Sequence, residues 1–557
     1  MNGGTIIAKK TTGPEYPLLS RLEGRSMRKP IGLLFLLVIV AIPAVLFLLN
    51  RSISTTKNPG SNGAQLYSTY CINCHGQLGK GDGKLSYLLY PKPRDFTRGT
   101  FKLRSTLSGE VPTDEDLLKT IRSGMPGTAM PSFYYLTESQ IRQVIQVVKS
   151  LSQECEPGAP CKKHFEGQNP QSIRMPKPAP YSTELVDKGK GVYKQLGCFQ
   201  CHGESGKGDG LSAAGMKDKW GYPIKVRDFT QGTYLGGGRP EDLYLRFMAG
   251  MDGTPMPSFG SSIEFLGKTD QERQEVIWGL IYYVKSLETD QDKVAPPKDG
   301  IIAAAKTDDW KKDSDMLDPN DPDWDKAAVF GIPLSRLWQK DNNNSVPLQV
   351  RARYNANYVA IRMEWSDAAP DNGTYGIQDF QDGGGVQFSM TGQPGFHGMG
   401  SRENPVDIWF WRAEWQMRKD RGTGSDMKQR YEHRSTDADT GHYPGEIAEE
   451  ARLSGRDAGN DVSVQKITNS VEELNAVGPG TLTAQPAAEQ NVFGKGEWNG
   501  NIWRVVFVRK LDDSDKNDVR FKPDNPIPIA FAVWNGAERD RNGQKLVSTW
   551  YSLKFQP

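Results

Sequence analysis

Five residues, Cys71-Ile72-Asn73-Cys74-His75, recur as Cys198-Phe199-Gln200-Cys201-His202. A Cys-x-x-Cys-His order suits covalent haem attachment. Two thiols add across the porphyrin vinyl groups, the two residues between them set their reach, and the adjacent histidine lies under the iron as an axial ligand. The same residue types also build zinc knuckles and redox dithiols. Two copies, each followed at similar distance by a Met-Pro pair (Met130-Pro131 and Met256-Pro257), favour haem. Cys71, Cys74, Cys198 and Cys201 are then the attachment residues of two c-type haems, and His75 and His202 their proximal ligands.

The motifs sit in a duplicated unit. Lys80-Gly81-Asp82-Gly83 returns as Lys207-Gly208-Asp209-Gly210, and Arg94-Asp95-Phe96-Thr97 as Arg227-Asp228-Phe229-Thr230. Each copy closes on a helix with a capping box, Thr137 with Gln140 and Thr269 with Glu272, followed by apolar residues at helical spacing. A short helix is expected before each haem motif, and others from near Asp114 and near Glu241. Helices around a covalent haem, ending in a long amphipathic one, resemble the class I cytochrome c fold over about residues 60–152 and 183–288. That resemblance implies a methionine as second axial ligand, and Met130 and Met256 occupy the matching positions; Met125, Met248 and Met251 lie close enough in sequence to compete. His/Met ligation saturates the iron, which then passes electrons and does not readily bind substrate.

The remaining cysteines, Cys155 and Cys161, flank a Pro-Gly turn and read as a local disulfide. They open a proline-rich linker, 154–182, between cytochrome domains at 50–153 and 183–290. A polar, acidic stretch, 291–326, reads as a second connector. With 557 residues the chain has room for about three domains. Its formal charge of +2 gives no basic patch for nucleic acid.

Ile31 to Leu49 is an uncharged run that just covers a bilayer core of about 30 Å. Basic residues crowd its N-terminal side, in segment 1–30, so the positive-inside rule predicts a membrane anchor with the bulk of the chain on the periplasmic side.

From Ala327 the pattern changes to alternation. Strands are predicted at Leu348–Tyr354, Tyr358–Trp365, Val406–Trp411, Ile502–Val508, Ile527–Trp534 and Val547–Leu553, as in an antiparallel sandwich. The polar stretch from Arg418 to Gln490 is too long for a bare loop and should hold local structure, with a short helix at Ile447–Leu453. Phe396-His397-Gly398-Met399-Gly400, the run Pro405 to Ala413, Gly494-Lys495-Gly496-Glu497-Trp498 and the ending Ile529 to Gly536 are similar to the haem b subunits of the ethylbenzene dehydrogenase type. The resemblance covers residues 327–557. It implies a sandwich gripping one non-covalent haem b between a methionine and a lysine, by position Met399 and Lys495; Met390 stands near enough to replace Met399, and His397 is not the ligand in the family pattern. A lysine ligates only when neutral, which burial promotes.

The expected architecture is therefore an N-terminal transmembrane helix, two all-α cytochrome c domains and a C-terminal all-β antiparallel sandwich. The expected role is electron transfer: two haem c and one haem b relaying electrons between the iron–sulfur subunit of a molybdenum oxidoreductase of the type II DMSO reductase family, nitrite oxidoreductase or nitrate reductase foremost, and a cytochrome or oxidase of a respiratory chain. The rival reading is a self-contained peroxidase- or oxidase-like enzyme with one open iron.

Overall fold

In the computed structural model the described residues are 62–289, 294–307, 310, 316–336, 348–373, 378–396, 398–421, 468–511, 515–522 and 524–556. Those from 62 onward lie in one compact unit, Ser61–Pro557. Two small helical domains come first. In the first, α1 (Asn62–Tyr70) leads into the single turn α2 (Ile72–His75), then α3 (Asp114–Ser123) and α4 (Glu138–Leu151). In the second, α5 (Thr183–Gln195), α6 (Phe199–His202) and α7 (Pro240–Ala249) are followed by α8 (Gly260–Leu266) and α9 (Asp270–Ser286). Both capping boxes form as read, and Thr113 with Asp116 makes a third on α3. Helix α4 buries Ile141, Val144, Ile145 and Val148, and the counterpart face of α9 includes Ile277, Leu280, Ile281 and Val284. Helices α5 and α9 cross where both carry glycine: a Cβ on Gly189 would lie 1.9 Å from the Gly279 carbonyl oxygen. Any side chain there would force the helices apart.

Cys155 and Cys161 are joined by a disulfide across a two-stranded ribbon, Gln153–Glu154 with Lys162–Lys163. The helical domains are locked together by Arg104, fully buried, which donates to the Ala249 carbonyl (2.8 Å) and pairs with Asp252 (2.8 Å).

Among the described residues the C-terminal domain is one folded-over sheet of 14 strands. Its main path comprises β1 (Ile301–Lys306), β2 (Leu348–Tyr354), β3 (Tyr358–Ser366), β4 (Gly383–Ser389), β5 (Val406–Arg412), β6 (Val471–Ala476), β7 (Thr483–Ala484), β8 (Phe493–Asn499), β9 (Ile502–Lys510), β10 (Ile527–Trp534) and β11 (Tyr551–Phe555). Their order is β7-β6-β5-β4-β10-β11-β1-β2-β3-β9-β8. The core between the two arms joins Trp409, Trp411 and Phe531 of one to Ile361, Trp365 and Phe507 of the other. Alternate residues of each strand face outward.

Three expectations are corrected. The sheet is not wholly antiparallel: β1 runs parallel to both β11 and β2. That strand arises inside the stretch read as an acidic connector, where Ile-Ile-Ala-Ala-Ala-Lys is too short and alanine-rich to announce itself. The predicted strand Val547–Leu553 is broken, into Leu546–Val547 and β11, because Trp550 turns out of the ladder into a separate buried cluster. Among the described residues no helix is long and apolar enough to cross a membrane. The longest, α9, has 17 residues, and it carries Glu272, Arg273 and Glu275 while its apolar side is spent on the second domain's core. At 1.5 Å per residue it falls short of a bilayer's hydrocarbon thickness. The run Ile31–Leu49 lies outside the described residues, as does Ile447–Leu453. The N-terminal anchor and the membrane-bound, periplasmic placement inferred from it are withdrawn.

Candidate haem centres

The first motif is presented by the tight connection between α1 and α2. The Cys71 amide donates to the Tyr67 carbonyl (2.9 Å) and the His75 amide to that of Cys71 (2.9 Å). Cys71, Cys74 and His75 consequently line one apolar cavity, which Met125 and Met130 also line. The repeated Lys-Gly-Asp-Gly loop folds back over the motif: a Cβ on Gly83 would lie 2.4 Å from the Asn73 carbonyl oxygen, so the glycine is what permits the approach. The His75 Nδ1–H donates to the Arg94 carbonyl (3.0 Å), and the ring stacks on Phe96 at 4.6 Å. With Nδ1 committed, the Nε2 lone pair is the one offered to a metal. Burial, assisted by the Arg94 charge, lowers the His75 pKa to about 4, so the ring is held neutral as a ligand must be.

The second centre repeats this construction. The His202 Nδ1–H donates to the Arg227 carbonyl (3.1 Å) and the ring stacks on Phe229 at 4.2 Å. Cys198, Cys201, Met251 and Met256 line its cavity, while Met248 packs against the surrounding core. In both centres the two methionines are tied together, Met125 N–H to the Met130 carbonyl and Met251 N–H to that of Met256, each 3.1 Å.

The competing chemistries fit less well. A redox dithiol needs a depressed thiol pKa, whereas burial pushes Cys71 and Cys198 up to about 12 and Cys74 to about 11. A zinc site needs converging ligands. Among the described residues the groups of three or more His, Cys, Asp or Glu that converge are two carboxylate clusters, and neither includes a Cys-Cys-His triplet. An apolar cavity lined by two thiols, a neutral imidazole and thioethers suits a covalent haem with His/Met ligation.

The cavities adjoin. Pro91, Lys102, Thr128 and Leu235 line both. Lys102 and Leu235 hold equivalent places in the repeat, eight residues after Arg94 and Arg227, so the duplicated domains meet through one position that is charged in one copy and apolar in the other. Burial pulls Lys102 down to about 8. Sequence reading did not single out this residue, because nothing local marks it.

The first cavity also touches the sandwich. Tyr70, in its wall, donates its hydroxyl to the Pro394 carbonyl (3.0 Å) in the loop that carries Met399. Tyr135 packs with Met399 against Val406, Ala476, Ala530 and Trp550. Met399 has φ +77°, between Gly398 and Gly400. A non-glycine residue held in the left-handed region is strained, which turns attention to what its side chain is placed to do. His397 lies outside the described residues.

Met399 and Lys495 are not brought together. Strand register puts Val406, Ile408 and Phe410 of β5 with Gly385 of β4 and Ala530 and Ala532 of β10 on the outer face of one arm, where Met399 packs. Lys495 pairs with Val506 of β9 on the outer face of the other arm, beside Glu497, with which it forms an ion pair. The lysine on the face of Met399 is Lys545. It follows the turn after β10 and its ammonium lies 4.5 Å from the Trp534 ring centroid. Burial lowers its pKa to about 8 from the ordinary 10.5. The shift is in the direction that ligation by a neutral amine requires. Gly385, Ala530 and Ala532 give the face between Met399 and Lys545 a floor of small residues, over which the Trp534 and Phe410 rings lie at 4.7 Å from each other.

These features define a cytochrome of modular build. Residues 60–152 and 186–288 match the Cytochrome c family, and residues 321–546 match the Ethylbenzene dehydrogenase family. The chain thus joins two cytochrome c domains, which imply covalent haem, to one domain of ethylbenzene dehydrogenase type. It is 27% identical over 247 residues to a haem subunit, ORF7, assigned to a respiratory nitrate reductase of Haloferax mediterranei, covering 43% of this chain and 68% of that protein. It is 26% identical over 258 residues to the dimethylsulfide dehydrogenase subunit gamma of Rhodovulum sulfidophilum, covering 43% and 76%. Among solved structures, a chain of the Kuenenia stuttgartiensis reducing HAO-like protein complex Kustc0457/Kustc0458 aligns at 40% identity and a TM-score of 0.37, over 42% of this chain and all of that one.

Proposed function

We propose that this chain is an electron-transfer subunit carrying two covalent haem c and one haem b. It works beside a molybdenum catalytic subunit and an iron–sulfur subunit of the type II DMSO reductase class, with nitrate or nitrite chemistry the first candidate, and exchanges electrons with a further cytochrome or oxidase. Each haem, when bound, supplies a one-electron iron couple. The observation that carries the reading is the serial contact of the three sites: the Cys71 cavity shares walls with the Cys198 cavity and reaches the Met399 loop through Tyr70 and Tyr135. The Cys71 centre is then the middle station. The Met399 face and the Cys198 centre are the two ends, one turned to the iron–sulfur partner and the other to the acceptor or donor.

In this assignment Cys71, Cys74, Cys198 and Cys201 anchor the macrocycles. His75 and His202 would offer neutral Nε2 atoms as ligands, Met130 and Met256 would be the thioether ligands, and Met399 with Lys545 would hold the third group. If these residues all served as ligands, they would leave no position at the metal for a substrate. Adding carbon monoxide to the fully reduced protein is therefore expected to leave its visible spectrum unchanged. A shift in one haem band would instead support an enzyme with an open iron. Met130→His or Met256→His is expected to lower that centre's midpoint potential, since thioether ligation holds it high, with covalent attachment intact. An unmoved redox titration would reassign the ligand to Met125 or Met251.

A further inference from the structure

At one end of the sandwich three carboxylates converge outside any haem centre. Asp367 directly follows β3, Asp382 directly precedes β4, and Asp371 lies in the excursion between them. One oxygen of each falls within 4.8 Å of the others. Asp367 is only 5% exposed and Asp382 is fully buried. Asp382 accepts from the Gly536 amide (2.8 Å), the Asp371 amide (2.7 Å) and the Trp503 indole (3.0 Å), Asp367 accepts from the Ala369 amide (3.3 Å), Asp371 accepts from the Ala537 amide, and the Asp367 and Asp382 carboxyls lie within hydrogen-bond reach of each other. Asp367 Oδ2 and Asp371 Oδ2 are buried and meet no N–H or hydroxyl donor among the described residues, so only another carboxyl or a cation can face them.

The sandwich's other carboxylate cluster shows what is missing. Asp407, Glu473 and Asp518 surround the buried guanidinium of Arg509, which faces all three. Among the described residues no lysine or arginine comes within ion-pair distance of Asp367, Asp371 or Asp382. Buried carboxylates without a counter-charge are costly, and mutual repulsion with desolvation raises Asp382 and Asp367 above the ordinary carboxylate range. An all-oxygen set with no imidazole or thiolate selects a hard cation. Its burial favours a cation that accepts several protein oxygens over magnesium, which keeps its waters.

We propose that Asp367, Asp371 and Asp382 bind a calcium ion, which ties the β3–β4 excursion to the turn after β10. The site is independent of the haem assignment. Its test uses the full chain, stripped with a chelator and titrated calorimetrically with calcium chloride, together with thermal unfolding in calcium and in chelator. Saturable heat and a calcium-dependent rise in the unfolding midpoint are expected, both lost in Asp367→Asn. The sign of the variant's effect separates a cation site from plain packing. In chelator Asp367→Asn removes a like charge and should unfold no earlier than the wild type, whereas in calcium it should unfold earlier. No heat from the wild type at millimolar calcium, a response to magnesium alone, or a variant equally destabilised in both buffers would each overturn the proposal.

Discussion

Lys545→Ala is expected to strip the non-covalent haem from the purified chain, while Lys495→Ala leaves it in place. The sandwich has two outer faces, and a residue's parity along its strand decides which it joins. Lys495 belongs with Val506, Glu497 and Arg504 on one of them, and its charge is already matched by Glu497. Lys545 stands across from Trp534, the next outward residue after Ala532 on the strand against which Met399 packs. Ala530 and Trp534 are four residues apart, about 13 Å along a strand, a span that a macrocycle and two long side chains can bridge. Loss of outer hydrogen-bonding partners alone costs a metal site about 10–100-fold in affinity. Loss of a direct ligand should therefore lower haem b retention by at least about tenfold. Pyridine haemochrome spectra, which separate haem b from haem c, provide the measurement, with haem c as internal reference. Retention in Lys545→Ala with loss in Lys495→Ala would reverse the assignment.

Arg509→Leu should destabilise the sandwich by about 3–5 kcal/mol, the usual cost of orphaning buried partners of an ion pair. Its guanidinium is fully buried, 2.9 Å from Asp407, 3.3 Å from Glu473 and 3.6 Å from Asp518. Even with that cation in place, burial raises the Asp407 pKa to about 6 and that of Glu473 to about 8. Groups whose folded pKa is raised favour the folded state most when protonated. Their contribution is present below the unfolded value and lost as pH rises through the folded one. Without Arg509 these pKa values climb further, so the deficit should be smallest in mild acid and grow from about pH 5 to pH 9. Denaturant unfolding across that range tests both size and slope. Arg504→Leu is the control, because Arg504 meets Glu364 on the outer face with 25% of its side chain exposed. It should cost about 1 kcal/mol or less. A pH-independent deficit in Arg509→Leu would show that packing, and not charge, accounts for the loss.

The strands that were legible in advance are those whose alternation is carried by their own residues, such as Leu348–Tyr354 and Tyr358–Ser366. Two others were not. β4 begins Gly383-Gly384-Gly385 and β8 contains Gly494 and Gly496, a composition that argues against strand. The reason lies across the core: a Cβ on Gly496 would sit 2.3 Å from the Trp411 ring, and one on Gly494 2.2 Å from Val471. Those glycines make room for side chains far away in sequence, so no local window can explain them. β1 was missed for a related reason, since its pairing with β2 and β11 comes from residues far along the chain.

The candidate haem c centres divide from the haem b centre along the same line. Everything that marks the former lies within a few residues: thiols at fixed spacing, the adjoining histidine, and a duplicated loop that folds back on them. A covalent attachment motif must be local, and so the linear chain determined it. Which outer face Lys495 and Lys545 each join is visible only in the fold. Strand register and the closing of the sheet set which face each lysine joins, and no property of either lysine's neighbours in sequence records that parity. The meeting of the two cytochrome cavities at Lys102 and Leu235, and the approach of Tyr70 and Tyr135 to the Met399 loop, arise likewise from domain packing, whose contacts are made between surfaces and leave no periodic trace in the sequence.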